Sequence, residues 1–182
     1  EVVKLEIPTV FGDSIERVVK EMEAIKPDIV ICVGQAGGRF EVTPERVAIN
    51  CEDARIPDNI GKQPLNQPVF PDGESAYFSN LPVKAMVEEI KAAGVPSSLS
   101  NTAGTFVCNH IMYGVLYHIA KNPEFKNIKG GFIHVPFMTE QAVGRGNVAS
   151  LALDTIAKGL EAAVKAAVLN ETDIDVVAGK ID

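Results

Sequence analysis

Cysteine is scarce and odd in number: Cys32, Cys51 and Cys108 are the three in 182 residues. At such wide spacings they form no disulfide framework, and the expected compartment is the cytoplasm. Basic residues are outnumbered, 17 against 24, giving a formal net charge of −7. With that sign and no Lys/Arg cluster, no nucleic-acid partner is expected. No apolar run approaches the roughly 18 residues of a membrane span, so no membrane partner is expected either. Glu1 to Pro8 holds no apolar signal-peptide segment. Histidine is sparse too, and His110 and His118 are not at the i, i+4 spacing of a helical metal pair. No C-x-x-C accompanies them, so neither a metal nor another cofactor is expected.

What is present is an ordinary globular composition, 46% hydrophobic and 23% charged, at a length suited to one domain over 1–182. Val2 to Pro8 alternates as a short strand. Asp13 or Ser14 is placed to cap a helix carrying Ile15, Val18, Val19, Met22 and Ile25 on one face, ended by Pro27. Ile29 to Val33 reads as a strand buried on both faces. Arg46 to Asn50 suits another strand, followed by a long polar stretch with Pro57, Pro64, Pro68 and Pro71. Pro82 opens a helix that Gly94 closes. Val95 to Ser100 is expected as a strand, Phe106 to Lys121 as a helix, Gly130 to Phe137 as a buried strand and Ser150 to Leu169 as a helix. Helices alternating with buried strands predict an α/β fold. The expected architecture is a three-layer αβα sandwich around a mixed, mainly parallel sheet, with ligands bound beyond the strands' carboxyl ends.

Three residues stand out chemically. Cys108 falls in the first turn of a helix after Asn101–Thr105, where the helix dipole and unpaired N–H groups favour thiolate; the plainer alternative is a small packing residue. Cys32 lies mid-strand among Ile and Val and reads as packing, and Cys51 has no partner at motif spacing. His134 interrupts an apolar strand near its end, either as a satisfied core histidine or as the base that a thiol nucleophile needs. Glu45 enters a strand and is either a solvated acid or the carboxylate that orients such a base. Spacing alone does not choose among the 24 acidic residues. Gln35-Ala36-Gly37-Gly38-Arg39 follows a strand but lacks the Lys-Ser/Thr of a phosphate loop.

Several segments together resemble the pyroglutamyl-peptidase I (pyrrolidone-carboxylate peptidase) family of cysteine peptidases. They are G-Q-A-G-G-R (34–39), P-E-R-V-A-I-N (44–50), D-A-R-I-P-D-N (53–59), S-N-T-A-G-T-F-V-C-N (100–109) and G-F-I-H-V-P (131–136). The resemblance implies a Cys108–His134–Glu45 triad with Cys108 as nucleophile, His134 as base and later acid, and Glu45 as orienting carboxylate. It also implies that Thr9, Gln35, Ile56, Phe106 and Val107 line the pocket for the five-membered lactam, Gln35 through its main chain, with Arg55 beside it. The implied partners are peptides with an N-terminal pyroglutamate, and the implied assembly is a homotetramer. The match starts at the family's second strand. The family's first strand and its G-F-x-P-F-G loop, roughly 30 residues or one βα unit, have no counterpart in this sequence.

The implied reaction removes an N-terminal pyroglutamyl residue by thiolate attack and a thioester intermediate. Two alternatives remain open at this point. One is a family member impaired by the missing segment. The other is a nucleoside phosphorylase-like binding protein or transferase using the Gly-rich loop, which leaves the cysteine and histidine segments idle.

Overall fold

The computed structural model of the chain describes residues 1–179. The last three positions of the domain expected over 1–182 lie outside the described residues. Two compact units emerge, each assembled from three segments: Glu1–Val30, Val47–Phe78 and Thr102–Gly130 in the first, and Ile31–Arg46, Ser79–Asn101 and the chain from Gly131 onward in the second.

In the first unit, the apolar face expected around Ile15 and Met22 is realised as α1 (Asp13–Ile25), with Ser14, Ile15, Val18 and Met22 buried. Helix α3 (Val107–Lys121) is buried nearly all round, from Asn109 and His110 through Met112, Tyr113 and Val115 to Leu116. The two helices meet closely at Gly114, where a Cβ would run into the Ile15 side chain, so only glycine permits that approach. Strands β3 (Val47–Ile49) and β4 (Ala76–Phe78) pair antiparallel, Ala48 opposite Tyr77. The proline-rich stretch between them has little regular structure, yet it is anchored. Phe70 stacks on Tyr117 at 4.1 Å between ring centroids, and the Tyr113 hydroxyl donates to the Glu74 carbonyl at 2.6 Å.

The second unit is organised by a mixed sheet. Strands β1 (Ile29–Gln35), β5 (Lys129–Val135) and β2 (Thr43–Pro44) lie in the order β1-β5-β2. β2 runs antiparallel to β5, with Thr43 opposite His134 and Pro44 opposite Ile133. Parallel single bridges extend the pairing from Val42 to Ser97 and from Glu45 to Ser100. Helices α2 (Val83–Ala92) and α5 (Leu153–Leu169) each bury one apolar face, and they pack on each other in this unit. The N-terminus of α2 is capped from a distance: the Asp173 carboxylate accepts from Lys84 and Ala85 N–H, each at 3.0 Å. A short parallel pair, β6 (Phe137–Met138) and β7 (Ser150–Leu151), flanks the one-turn helix α4 (Thr139–Ala142).

The chain is therefore α/β, as expected, with several local differences. Residues 2–8 form no strand among the described residues; alternation makes a strand only where a neighbour supplies ladder hydrogen bonds. β1 is half-buried instead of buried on both faces, with Val33 at 49% exposure, because it stands at the edge of the three-stranded order. Val95–Ser100 pairs only through the bridges at Ser97 and Ser100; Pro96 has no N–H to offer a ladder. Pro136 likewise ends β5 at Val135, and Ser150–Leu151 pairs as β7 before α5 begins at Leu153. Neither Asp13 nor Ser14 caps α1: the cap position is Gly12.

Candidate active site

His134 sits next to last in β5, and Glu45 follows directly on β2, the strand beside it. The backbone fixes Glu45 tightly. Its N–H donates to the Phe132 carbonyl at 2.9 Å, and it bridges to Ser100 on the other side. Register then brings the two side chains together: His134 Nδ1 lies 2.7 Å from Glu45 Oε1. The carboxylate is fully buried and the imidazole 4% exposed. A carboxylate accepts only, so Nδ1 carries the proton and Nε2 is the nitrogen left for proton transfer. The same Glu45 oxygen also receives the Arg39 guanidinium at 2.6 Å, and Arg39 contacts the Thr43 hydroxyl as well. Arg39 was not singled out as a site residue in the sequence. Its place at the end of G-Q-A-G-G-R was the available signal, read there only as part of a glycine-rich loop.

Cys108 is the second residue of α3, half-buried. The N-cap Phe106 is extended (φ −100°, ψ −166°) and no side chain caps this helix. The N–H groups of the first turn therefore keep the electropositive character that helix starts offer an anion. Cys32 is in β1 and Cys51 beyond β3, neither at a helix start.

Around the start of α3, the first unit gathers several of the expected pocket residues. Phe11, Ala54 and Val107 form a buried cluster with Phe106 against it, the Phe11 and Phe106 rings meeting edge-on at 5.3 Å. Thr9 is exposed, and its carbonyl accepts the Asn59 N–H at 3.2 Å. Ile56 is 49% exposed, and its neighbour Arg55 is exposed too. Gln35 ends β1 in the second unit, its side-chain amide 2.5 Å from Gln141 Oε1.

A second histidine–carboxylate pair was missed by the sequence reading, which weighed His110 only as a metal ligand. His110 Nδ1 lies 2.5 Å from Glu52 Oε1, and Nε2 accepts the Gly12 N–H at 2.8 Å. Burial alone would push the Glu52 carboxyl up, but hydrogen bonds from His110 and Gln67, with the Lys62 charge, hold it below its ordinary value. Nearby, burial would likewise raise Asp58, but the N–H groups of Phe11, Ile60 and Lys62 hold it low. Among the described residues, no three His, Cys, Asp or Glu side chains gather to hold a metal.

An α/β chain with a thiol at a helix start and a buried histidine–glutamate pair carries the groups that thiol hydrolases use. The family model described as pyroglutamyl peptidase matches residues 1–170. The pyrrolidone-carboxylate peptidase of Clostridium perfringens strain 13 is 60% identical over 181 residues, all of this chain and 84% of that protein. The pyrrolidone-carboxylate peptidase of Lactobacillus johnsonii is 58% identical over 178 residues, 98% of this chain and 82% of its own. Crystallised pyroglutamyl peptidase I from Bacillus amyloliquefaciens superposes with a TM-score of 0.92 at 48% identity, covering 96% of this chain and 83% of that one. The chain belongs to the pyroglutamyl peptidase family.

Proposed function

We propose that the chain removes N-terminal pyroglutamyl residues from peptides, with Cys108 as nucleophile, His134 as general base and acid, and Glu45 as the carboxylate that orients it. The observation that carries this reading is the buried 2.7 Å contact between His134 Nδ1 and Glu45, in a chain whose relatives bear that peptidase name. His134 Nε2 takes the Cys108 thiol proton, Sγ forms a bond to the pyroglutamyl carbonyl carbon, and as the C–N bond breaks Nε2 delivers that proton to the departing amine. Water, deprotonated by His134, then attacks the thioester and releases pyroglutamate and thiolate. N–H groups at the start of α3 are suited to the oxyanion. Thr9, Gln35, Ile56, Phe106 and Val107 are proposed to line the lactam pocket, with Arg55 beside it. Apolar walls and main-chain hydrogen bonds suit a ring without a charged α-amine, and a charged N-terminus is rejected by its desolvation cost. We further propose one functional domain, no cofactor, a cytoplasmic location and a homotetramer. The family resemblance supports the tetramer, and light scattering tests it.

The direct test is release of a chromogenic amine from a pyroglutamyl amide. Turnover that Cys108→Ala removes supports the reading. Absence of turnover together with phosphate-dependent nucleoside cleavage would replace it with the phosphorylase alternative.

A further inference from the structure

We infer that His110, held by Glu52, is a positioning residue that fixes the Thr9–Gly12 segment against the first turns of α3, and so sets how tightly the lactam binds beside Cys108. The inference rests on the function proposed above and concerns its pocket. His110 lies two residues beyond the proposed nucleophile and is 4% exposed. Its wiring is directional. Glu52 accepts on both oxygens, from His110 at 2.5 Å on one and from Gln67 at 2.9 Å on the other. A carboxylate so used places the imidazole proton on Nδ1 and leaves the Nε2 lone pair outward. That lone pair takes the Gly12 N–H at 2.8 Å, at a residue whose φ of +85° favours glycine.

One residue earlier, the Phe11 N–H donates to Asp58 at 2.9 Å. The Phe11 ring lies edge-on to both His110 and Phe106, each at 5.3 Å, and Phe106–Val107 directly precede Cys108. The Gly12 N–H and the Phe11 ring thus tie the segment bearing Thr9 to the helix bearing the thiol, while the Phe11 N–H ties it to the loop at Asp58. Neither His110 nitrogen is available to act as a second base.

Two substitutions separate the halves of this wiring. In His110→Asn the amide N–H can still meet Glu52, but nothing reaches Gly12. In His110→Gln the side-chain oxygen can reach the Nε2 position and accept that N–H. For a chromogenic pyroglutamyl amide, His110→Asn should raise KM about tenfold with kcat within about twofold, the consequence of losing the one hydrogen bond from Gly12. His110→Gln should keep KM within about threefold. Protection of Cys108 from iodoacetamide by 2-pyrrolidinone, the bare lactam, should weaken about tenfold in His110→Asn only, with the unprotected alkylation rate unchanged. A wild-type KM and wild-type protection in folded His110→Asn overturn the inference. So does equal loss in both variants that follows Tm, the mark of a purely structural residue. Wild-type protein that fails to cleave the amide defeats the peptidase reading instead, while the protection comparison still decides this one.

Discussion

Both ring nitrogens of His110 are occupied, by Glu52 and by the Gly12 N–H, whereas His134 gives Nδ1 to Glu45 and keeps Nε2 for proton transfer. The proposed base is therefore distinguished by wiring and not by nearness in sequence, since His110 is only two residues from Cys108. Cys108→Ala should abolish turnover and Cys32→Ala should leave most of it, measured as amine release by folded variants. His134→Ala should lose nearly all turnover, because nothing else takes and returns the proton. Glu45→Gln should fall between, since an amide oxygen still holds Nδ1–H but cannot stabilise imidazolium by charge. Full activity in Glu45→Gln would move the third role to another residue. Arg39 reaches the same Glu45 oxygen at 2.6 Å, and a buried carboxylate left with one donor fewer is held less well. Arg39→Met should lower kcat/KM roughly tenfold, with Arg39→Lys retaining more; equal activity in all three proteins would show that Arg39 does not act through Glu45.

At the scale of elements, helices were the most legible parts. The apolar face of α1, Pro82 before α2, Gly94 after it and the length of α3 all follow from rules local to a few residues. Strands were less so, because a strand needs a partner that sequence does not display, as 2–8 and 95–100 illustrate. The Asp173 cap on α2 is another case: it lies 89 residues from Lys84, beyond any local pattern. Asp173→Ala should cost about 1 kcal/mol and lower Tm by roughly 2–4 °C, measured by thermal melts; an unchanged Tm would show the cap to be idle. In the last turn of α3, burial holds the His118 imidazole below its ordinary 6.5, against the pull of Glu23. The unfolded ring then binds its proton first. The stability it contributes is complete above pH 6.5 and is lost as pH falls from there toward the folded value. His118→Gln should flatten that part of a denaturation-versus-pH curve. The loss below 4.5 and 3.8, where Glu52 and Asp58 are held low, should persist.

For the whole molecule, alternating helices and apolar strands sufficed to identify an α/β chain, and relatives with solved structures superpose on nearly all of it. The site was only half legible. The position of Cys108 in a first helical turn follows from its local sequence, but Glu45 and His134 are 89 residues apart. Only strand register joins them, and the family resemblance, not spacing, selected that glutamate. The His110–Glu52 pair, 58 residues apart, had no such guide. A thiol mechanism also makes a prediction for the intact protein: chelators should leave activity unchanged and reductant should raise it, since thiolate is open to oxidation. Stoichiometric zinc whose removal stops turnover would contradict that. The most direct measurement is to quench the protein with acid during turnover of a pyroglutamyl amide and map acylation by mass spectrometry. One pyroglutamyl group should be found on the peptide containing Cys108, absent from Cys108→Ala and accumulating in wild type before steady state. Turnover at full rate with no acyl group on Cys108, or with the acyl group on another residue, would contradict the account.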